Sequence, residues 1–187
     1  DQRALFDAAL AEYVAVQRYN ADRPEGRSGL AQVHAARGDA PAAIAEYRKA
    51  IELDPGFVPA YVNLSDLYRA RGAEGEAEAL LREGIARNPA AAALHHALGL
   101  ALVRQKKTAE ALQELTDAAR LAPDDARFAY VRAVALHDAG QPREAMKVLE
   151  SALARHPYDR DLLAALASYN AQAGALDVAR GHARTLV

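Results

Sequence analysis

Six histidines, His34, His95, His96, His137, His156 and His182, are the residues of this chain best suited to hold a metal or move a proton. Their spacing argues against both uses. His95 and His96 are adjacent, so on a helix they point about 100° apart. They miss the i, i+4 pairing that brings two imidazoles to one ion. The other four are scattered along the chain, and all six read as surface or partly packed side chains. Carboxylates cluster as Asp124–Asp125 and Asp159–Asp161, just ahead of helical stretches, where they can cap free backbone N–H groups. There is no Gly-rich phosphate loop, no His-Glu-x-x-His and no Gly-x-Ser-x-Gly. Without cysteine there is no disulfide, thiolate metal site or haem-attachment motif within these residues. The sequence predicts no catalytic residue, no metal and no cofactor.

The elements that would position a site are more legible, because the chain repeats itself. Pro55, Pro89, Pro123 and Pro157 are spaced by 34 residues. Ala43, Ala77, Ala111, Ala145 and Ala179 fall on the same grid, as do Gly38, Gly72, Gly140 and Gly174. A small or hydroxyl residue recurs as Ala31, Ser65, Gly99, Ala133 and Ala167. A fixed period of this length is the signature of stacked units, none of which buries its apolar face alone. Within one unit, Ala60, Tyr61, Leu64, Leu67 and Tyr68 recur at helical spacing. Gly72 then supplies a left-handed stop. Ala77, Leu80, Leu81, Gly84 and Ile85 form a second helical face, which Pro89 terminates. Pro41 and Pro142 follow their glycines closely and suit the first turn of the next helix.

A helix–turn–helix of this length, with small residues on both helices, glycine at the turn and proline in the connector, resembles the tetratricopeptide repeat. The stretches GDAPAAIAEYRKAIELDP (Gly38–Pro55) and AYVNLSDLYRARG (Ala60–Gly72) carry the resemblance. It divides the chain into 24–57, 58–91, 92–125, 126–159 and a last copy, 160–187, that lacks its closing proline. Residues 1–23 are similar to the second helix of a preceding copy, with Phe6, Ala9, Tyr13 and Val16 on the grid. The resemblance implies an all-α, right-handed solenoid of antiparallel helix pairs. A second stretch, EYVAVQRYNADRP (Glu12–Pro24) with HHALGLALVRQK and AYVRAVALHDAG, resembles the C-terminal repeat region of bacterial multihaem cytochrome-like proteins.

Composition excludes several function classes. A net charge of −2 gives no bulk attraction to nucleic acid or anionic membranes. No apolar run approaches the roughly 18–20 residues of a membrane span. Arginine outnumbers lysine in an alanine-rich chain, which reads as bacterial coding bias. Val178, Ala179, Ala183, Leu186 and Val187 are expected to face outward from the last copy without a polar capping helix. The expectation is a segment of a longer protein, or self-association through exposed terminal helices.

Two positions depart from the repeat. Lys106 stands where the other turns have glycine, so the turn either holds a strained left-handed residue or is reshaped. Arg132 replaces the leucine found at Leu30, Leu64, Leu98 and Leu166. Its charge is expected to snorkel outward or pair with Glu144 or Asp138. The family resemblance implies a partner-binding concave groove lined by the first helices. The positions it marks are Asn63, Asp66 and Arg69; His96, Leu100, Val103 and Arg104; then Arg127, Tyr130, Val134, His137 and Asp138. Leu100, Val103, Tyr130 and Val134 would form an apolar middle with a polar rim, or simply complete helix packing. The carboxylate-clamp pattern of chaperone-binding members is not matched: Ser28, Gln32, Asn63, Ala93 and Ala97 stand there, with no cation. The sequence thus predicts a non-catalytic scaffold for a protein or peptide partner, without nucleic acid or membrane insertion. The alternative is a spacer or assembly arm of a larger protein.

Overall fold

Helices begin at Pro24, Val58, Ala92, Ala126 and Arg160, and again at Ala40, Glu74, Thr108, Pro142 and Leu176. Both series step by 34 residues. A computed structural model describes residues 2–186, apart from the side chains of residues 2–4 and 6. Asp1, the Phe6 side chain and Val187 therefore lie outside the described residues. Eleven helices and no strand occur among the described residues. They fall into two compact units, residues 1–94 and 95–187. The first holds α1 (Gln2–Tyr19), α2 (Pro24–Ala36), α3 (Ala40–Leu53), α4 (Val58–Ala70) and α5 (Glu74–Arg87). The division falls in the first turn of α6 (Ala92–Arg104). The second unit continues with α7 (Thr108–Leu121), α8 (Ala126–Asp138), α9 (Pro142–Arg155), α10 (Arg160–Gln172) and α11 (Leu176–Thr185).

Local chemistry sets the boundaries. Pro24, Pro41, Pro59 and Pro142 occupy first turns, where a missing N–H loses nothing. The Asp39, Asp125 and Asp159 carboxylates accept from the N–H groups of Ala42, Arg127 and Leu162 at 3.0–3.1 Å. At the far end of each first helix the chain turns through a left-handed residue. Gly38, Gly72, Gly140 and Gly174 have φ between 73° and 81°. The next N–H donates five residues back: Asp39 to His34, Ala73 to Tyr68, Gln141 to Leu136 and Ala175 to Asn170, each at 2.9 Å.

Lys106 keeps this turn. Its φ is 60°, and the Lys107 N–H donates to the Leu102 carbonyl at 2.9 Å. The reshaped alternative is therefore corrected. The packing beyond the turn explains the persistence: a Cβ at Gly99 on α6 would lie 2.7 Å from Leu115 Cδ2 on α7. That close fit fixes how the two helices meet, and the turn residue accepts the conformation. A left-handed non-glycine residue is strained by roughly 1–2 kcal/mol, partly offset by the greater unfolded-state freedom of glycine. Lys106→Gly is expected to raise the unfolding free energy by about 1 kcal/mol. A shifted denaturant midpoint at unchanged slope would show it, and no gain would mean the lysine is held there without strain.

The grid residues are the contact points. Ala43, Ala77, Ala111, Ala145 and Ala179 are at most 8% exposed. A further small series, Ala50, Gly84, Ala118 and Ala152, is buried one helix turn or two farther along α3, α5, α7 and α9. At Gly84 a Cβ would sit 2.9 Å from Tyr61 Cδ1 and 3.1 Å from Leu94 Cδ1, so only glycine admits both. The Tyr61 hydroxyl in turn donates to the Pro55 carbonyl at 3.1 Å, tying the first helix to its connector. Glu46 of α3 is held at 2.9 Å both by Arg27 of α2 and, within its own helix, by Lys49. Burial alone would raise the Glu46 carboxyl, but these two cations outweigh it and hold it low.

The end helices differ from the sequence reading. On α1, Ala9, Tyr13 and Val16 are exposed, and Leu10, Val14 and Gln17 form the half-buried line instead. The cause is the seat on α2. Cβ atoms at Gly26 and Gly29 would lie 2.1 Å from the Asn20 carbonyl oxygen and 2.6 Å from Gln17 Oε1, so the glycines admit that edge of α1. On α11, Ala179 is buried at 8%, not outward, because it is the grid alanine that meets α10. Val178 and Ala183 do face outward, and Leu186 is half-buried. No helix among the described residues is long and apolar enough to cross a membrane.

Candidate functional site

The first helices of the second unit gather most of the groove positions. Near the start of α8, the Arg127 guanidinium lies 5.2 Å over the Phe128 ring. The His96 ring of α6 tilts against the same Phe128 ring, with centroids 4.8 Å apart. His96 is half-buried, and its Nδ1 has no hydrogen-bond partner. Burial, then the nearby Arg127 charge, pushes its imidazole below the usual histidine range, against a smaller opposing pull from Asp125. A folded-state value below the unfolded one means that the unfolded chain binds the proton better. Stability from His96 is therefore present above about pH 6.5 and lost as pH falls through its depressed folded value. His96→Phe should flatten that part of the stability–pH curve in denaturant titrations; an unchanged slope would place the effect elsewhere.

At the other end of α8, His137 stacks on Tyr169 of α10 with ring centroids 4.0 Å apart and planes within 8°. The His137 Nε2 lies 3.1 Å from Gln172 Oε1, and its Nδ1 lies 3.8 Å from Asp138. Tyr169 is pushed up by burial, then by the charge of Asp138 and by Tyr130. Tyr130 packs partly on the core formed by Ala133, Leu149 and Leu166. Val103 and Asp138 line a cleft of about 190 Å³ together with Lys106 and Leu112. Leu100 and Val134 are half-buried, whereas Val103 is 44% exposed. Arg104 is exposed at the end of α6. Asn63, Asp66 and Arg69 lie in the first unit, where Asp66 holds Arg69 at 3.3 Å.

The structure thus brings Val103, Tyr130, His137 and Asp138 into one neighbourhood, and His96 and Arg127 into another. Sequence reasoning missed Tyr169, Gln172 and Phe128. The signal for the first two was an aromatic and an amide on the first helix of the last copy. His95 is packed, with Nδ1 2.7 Å from Glu114 Oε2. Arg132 pairs with neither expected carboxylate, since Glu144 holds Lys147 at 3.3 Å and Asp138 faces His137. Among the described residues no three His, Asp or Glu side chains are grouped to hold a metal. What this face of the second unit offers is ring surface, aliphatic groups, the exposed Asp138 carboxylate and the exposed Arg104 and Arg127, which is binding chemistry.

A tetratricopeptide repeat family model matches residues 2–56, 96–159 and 130–187, and a second such model matches 34–101. The chain belongs to the tetratricopeptide repeat family. Repeats of this family are non-catalytic protein–protein interaction scaffolds, and that is the function class of this chain. Among solved structures, pilF of Pseudomonas aeruginosa matches with a TM-score of 0.74 and 22% identity, over 90% of this chain and 76% of that one. MamA matches with a TM-score of 0.70 and 20% identity, over 83% and 91% of the two chains. YrrB, described as a TPR protein with an unusual peptide-binding site, matches with 0.64 and 20%, over 92% and 89%. At these identities the likeness is one of fold. No curated protein matches the chain. The resemblance to multihaem cytochrome-like proteins is unconfirmed by these matches.

Proposed function

We propose that this tetratricopeptide scaffold binds a peptide or protein segment along the face of its first helices. The residues assigned to it in the second unit are His96, Leu100, Val103, Arg104, Arg127, Tyr130, Val134, His137 and Asp138. Asn63, Asp66 and Arg69 present the corresponding face in the first unit. The division into copies at 24–57, 58–91, 92–125, 126–159 and 160–187 belongs to the same proposal. The observation that carries it is the His137–Tyr169 stack beside the exposed Asp138 and the Val103 cleft. A preformed ring platform with a charged neighbour binds with little ordering on the scaffold side. Alanine at Tyr130 or Arg104 should each weaken a captured partner about tenfold, or about 1.4 kcal/mol. Unchanged affinity in a titration with that partner would remove the groove assignment.

A second reading, an assembly or spacer arm, is favoured by the end helices. Leu5 and Val16 on α1 and Leu176 and Val178 on α11 are half exposed or more, and an apolar cleft of about 460 Å³ lies between α1 and α2 beside Leu10 and Val33. Light scattering decides it: a monomer at high concentration, unaltered by Leu176→Lys and Val178→Lys, ends that reading.

A further inference from the structure

Arg132 is the departure from the repeat that the first-helix face does not use. Its Nε is shielded from solvent and has no hydrogen-bond partner. The side chain lines a cleft of about 440 Å³ walled by the second helices α7 and α9, with α8 between them. Four cations line that cleft, Arg120, Arg132, Lys147 and Arg155, against two carboxylates, Asp125 and Glu144. Asp125 accepts from the Arg127 N–H to cap α8, and Glu144 is engaged by Lys147. Arg120 is held by Asp117 at 3.0 Å. Arg132 and Arg155 have no ion-pair partner among the described residues. Two guanidinium groups thus share one cleft with no anion committed to them.

We propose that this cleft is a second binding site, which takes the carboxylate of an acidic peptide segment on Arg132 and Arg155. A guanidinium engages a planar carboxylate through two parallel N–H donors, and no carboxylate among the described residues is committed to the Arg132 guanidinium. The same cleft disfavours a dense polyanion, because Asp125 and Glu144 stand in it and the whole chain is net negative. Those two carboxylates can instead accept from the N–H groups of a peptide, while Ala129 and Val148 give its side chains an apolar wall. The volume falls within the roughly 300–1,000 Å³ of built pockets, enough for the end of a segment rather than a folded partner. The assignment does not depend on the first-helix face and survives if that reading fails.

The experiment is a titration of the full, ¹⁵N-labelled chain with acetyl-Ala-Leu-Glu-Asp bearing a free C-terminus. The neutral acetyl-Ala-Leu-Gln-Asn-amide and inorganic phosphate are titrated in parallel. The acidic peptide is expected to move the Arg132 Nε–H resonance and backbone resonances of α7, α8 and α9. Arg132→Gln and Arg155→Gln should each weaken it about tenfold. Arg71→Gln, an equal charge change on an exposed residue of the other unit, should leave it unaltered. Dispersed amide spectra of each variant establish that it is folded. The proposal is overturned if the neutral peptide binds as well, if phosphate binds more tightly than the peptide, or if the Arg132 resonance does not move.

Discussion

Leu149→Ala is expected to lower the unfolding free energy by about 2–5 kcal/mol. Leu149 is fully buried, in a cluster with Ala145, Ala152, Leu136, Leu162 and Leu166. Deleting a buried isobutyl group loses its transfer free energy and leaves a cavity, whose size depends on how far the surroundings collapse. Here part of the wall is alanine, at Ala129, Ala133, Ala145 and Ala152. Those side chains end at Cβ and have no rotamer with which to refill space, so collapse would require whole helices to move. The loss should therefore lie toward the upper end of the range. Because repeat arrays are held by neighbour contacts, the effect should be local first. Hydrogen exchange should speed most in α8, α9 and α10, before the first unit is affected. A loss below about 1 kcal/mol, or uniform acceleration across both units, would contradict this account of the core.

The same alanines explain why so much of the fold was legible. Period, glycine turns and proline stops are local signals, and each acts on the backbone within one or two helical turns. Helix starts, the left-handed glycines and the burial of Ala43, Ala77, Ala111 and Ala145 all follow from them. Lys106 was legible only as an exception, because its conformation is imposed by Gly99 and Leu115 across a helix pair. The facing of α1 was not legible either. On the grid Ala9 and Val16 correspond to the buried Ala43 and Ala50, but the seats at Gly26 and Gly29 engage Gln17 and Asn20, a contact between helices that no periodicity records. The binding face was legible as positions and not as partnerships. Nothing in the spacing of His137 reveals that a tyrosine in the next copy stacks on it.

Arg132→Leu is expected to raise the unfolding free energy by about 1–3 kcal/mol, the penalty range for a buried polar group without a partner. At the equivalent position the other first helices bury Leu30, Leu64, Leu98 and Leu166, none more than 8% exposed. In α8 that place is taken by a guanidinium whose Nε is cut off from water and makes no hydrogen bond. Leucine would remove the unpartnered donor and put an aliphatic side chain against Ala129 and Val148. Arg132→Gln removes the charge but leaves a polar amide, so it should gain less than leucine. A higher denaturant midpoint for Arg132→Leu, together with loss of the acidic-peptide response, would mean that arginine is held there against the interest of stability. A lower midpoint would mean that the aliphatic stem of arginine already packs the cleft, with its charge satisfied at the surface. The leucine variant thus separates a residue kept for binding from one tolerated by packing, at the one first-helix position where the repeat gives up its leucine.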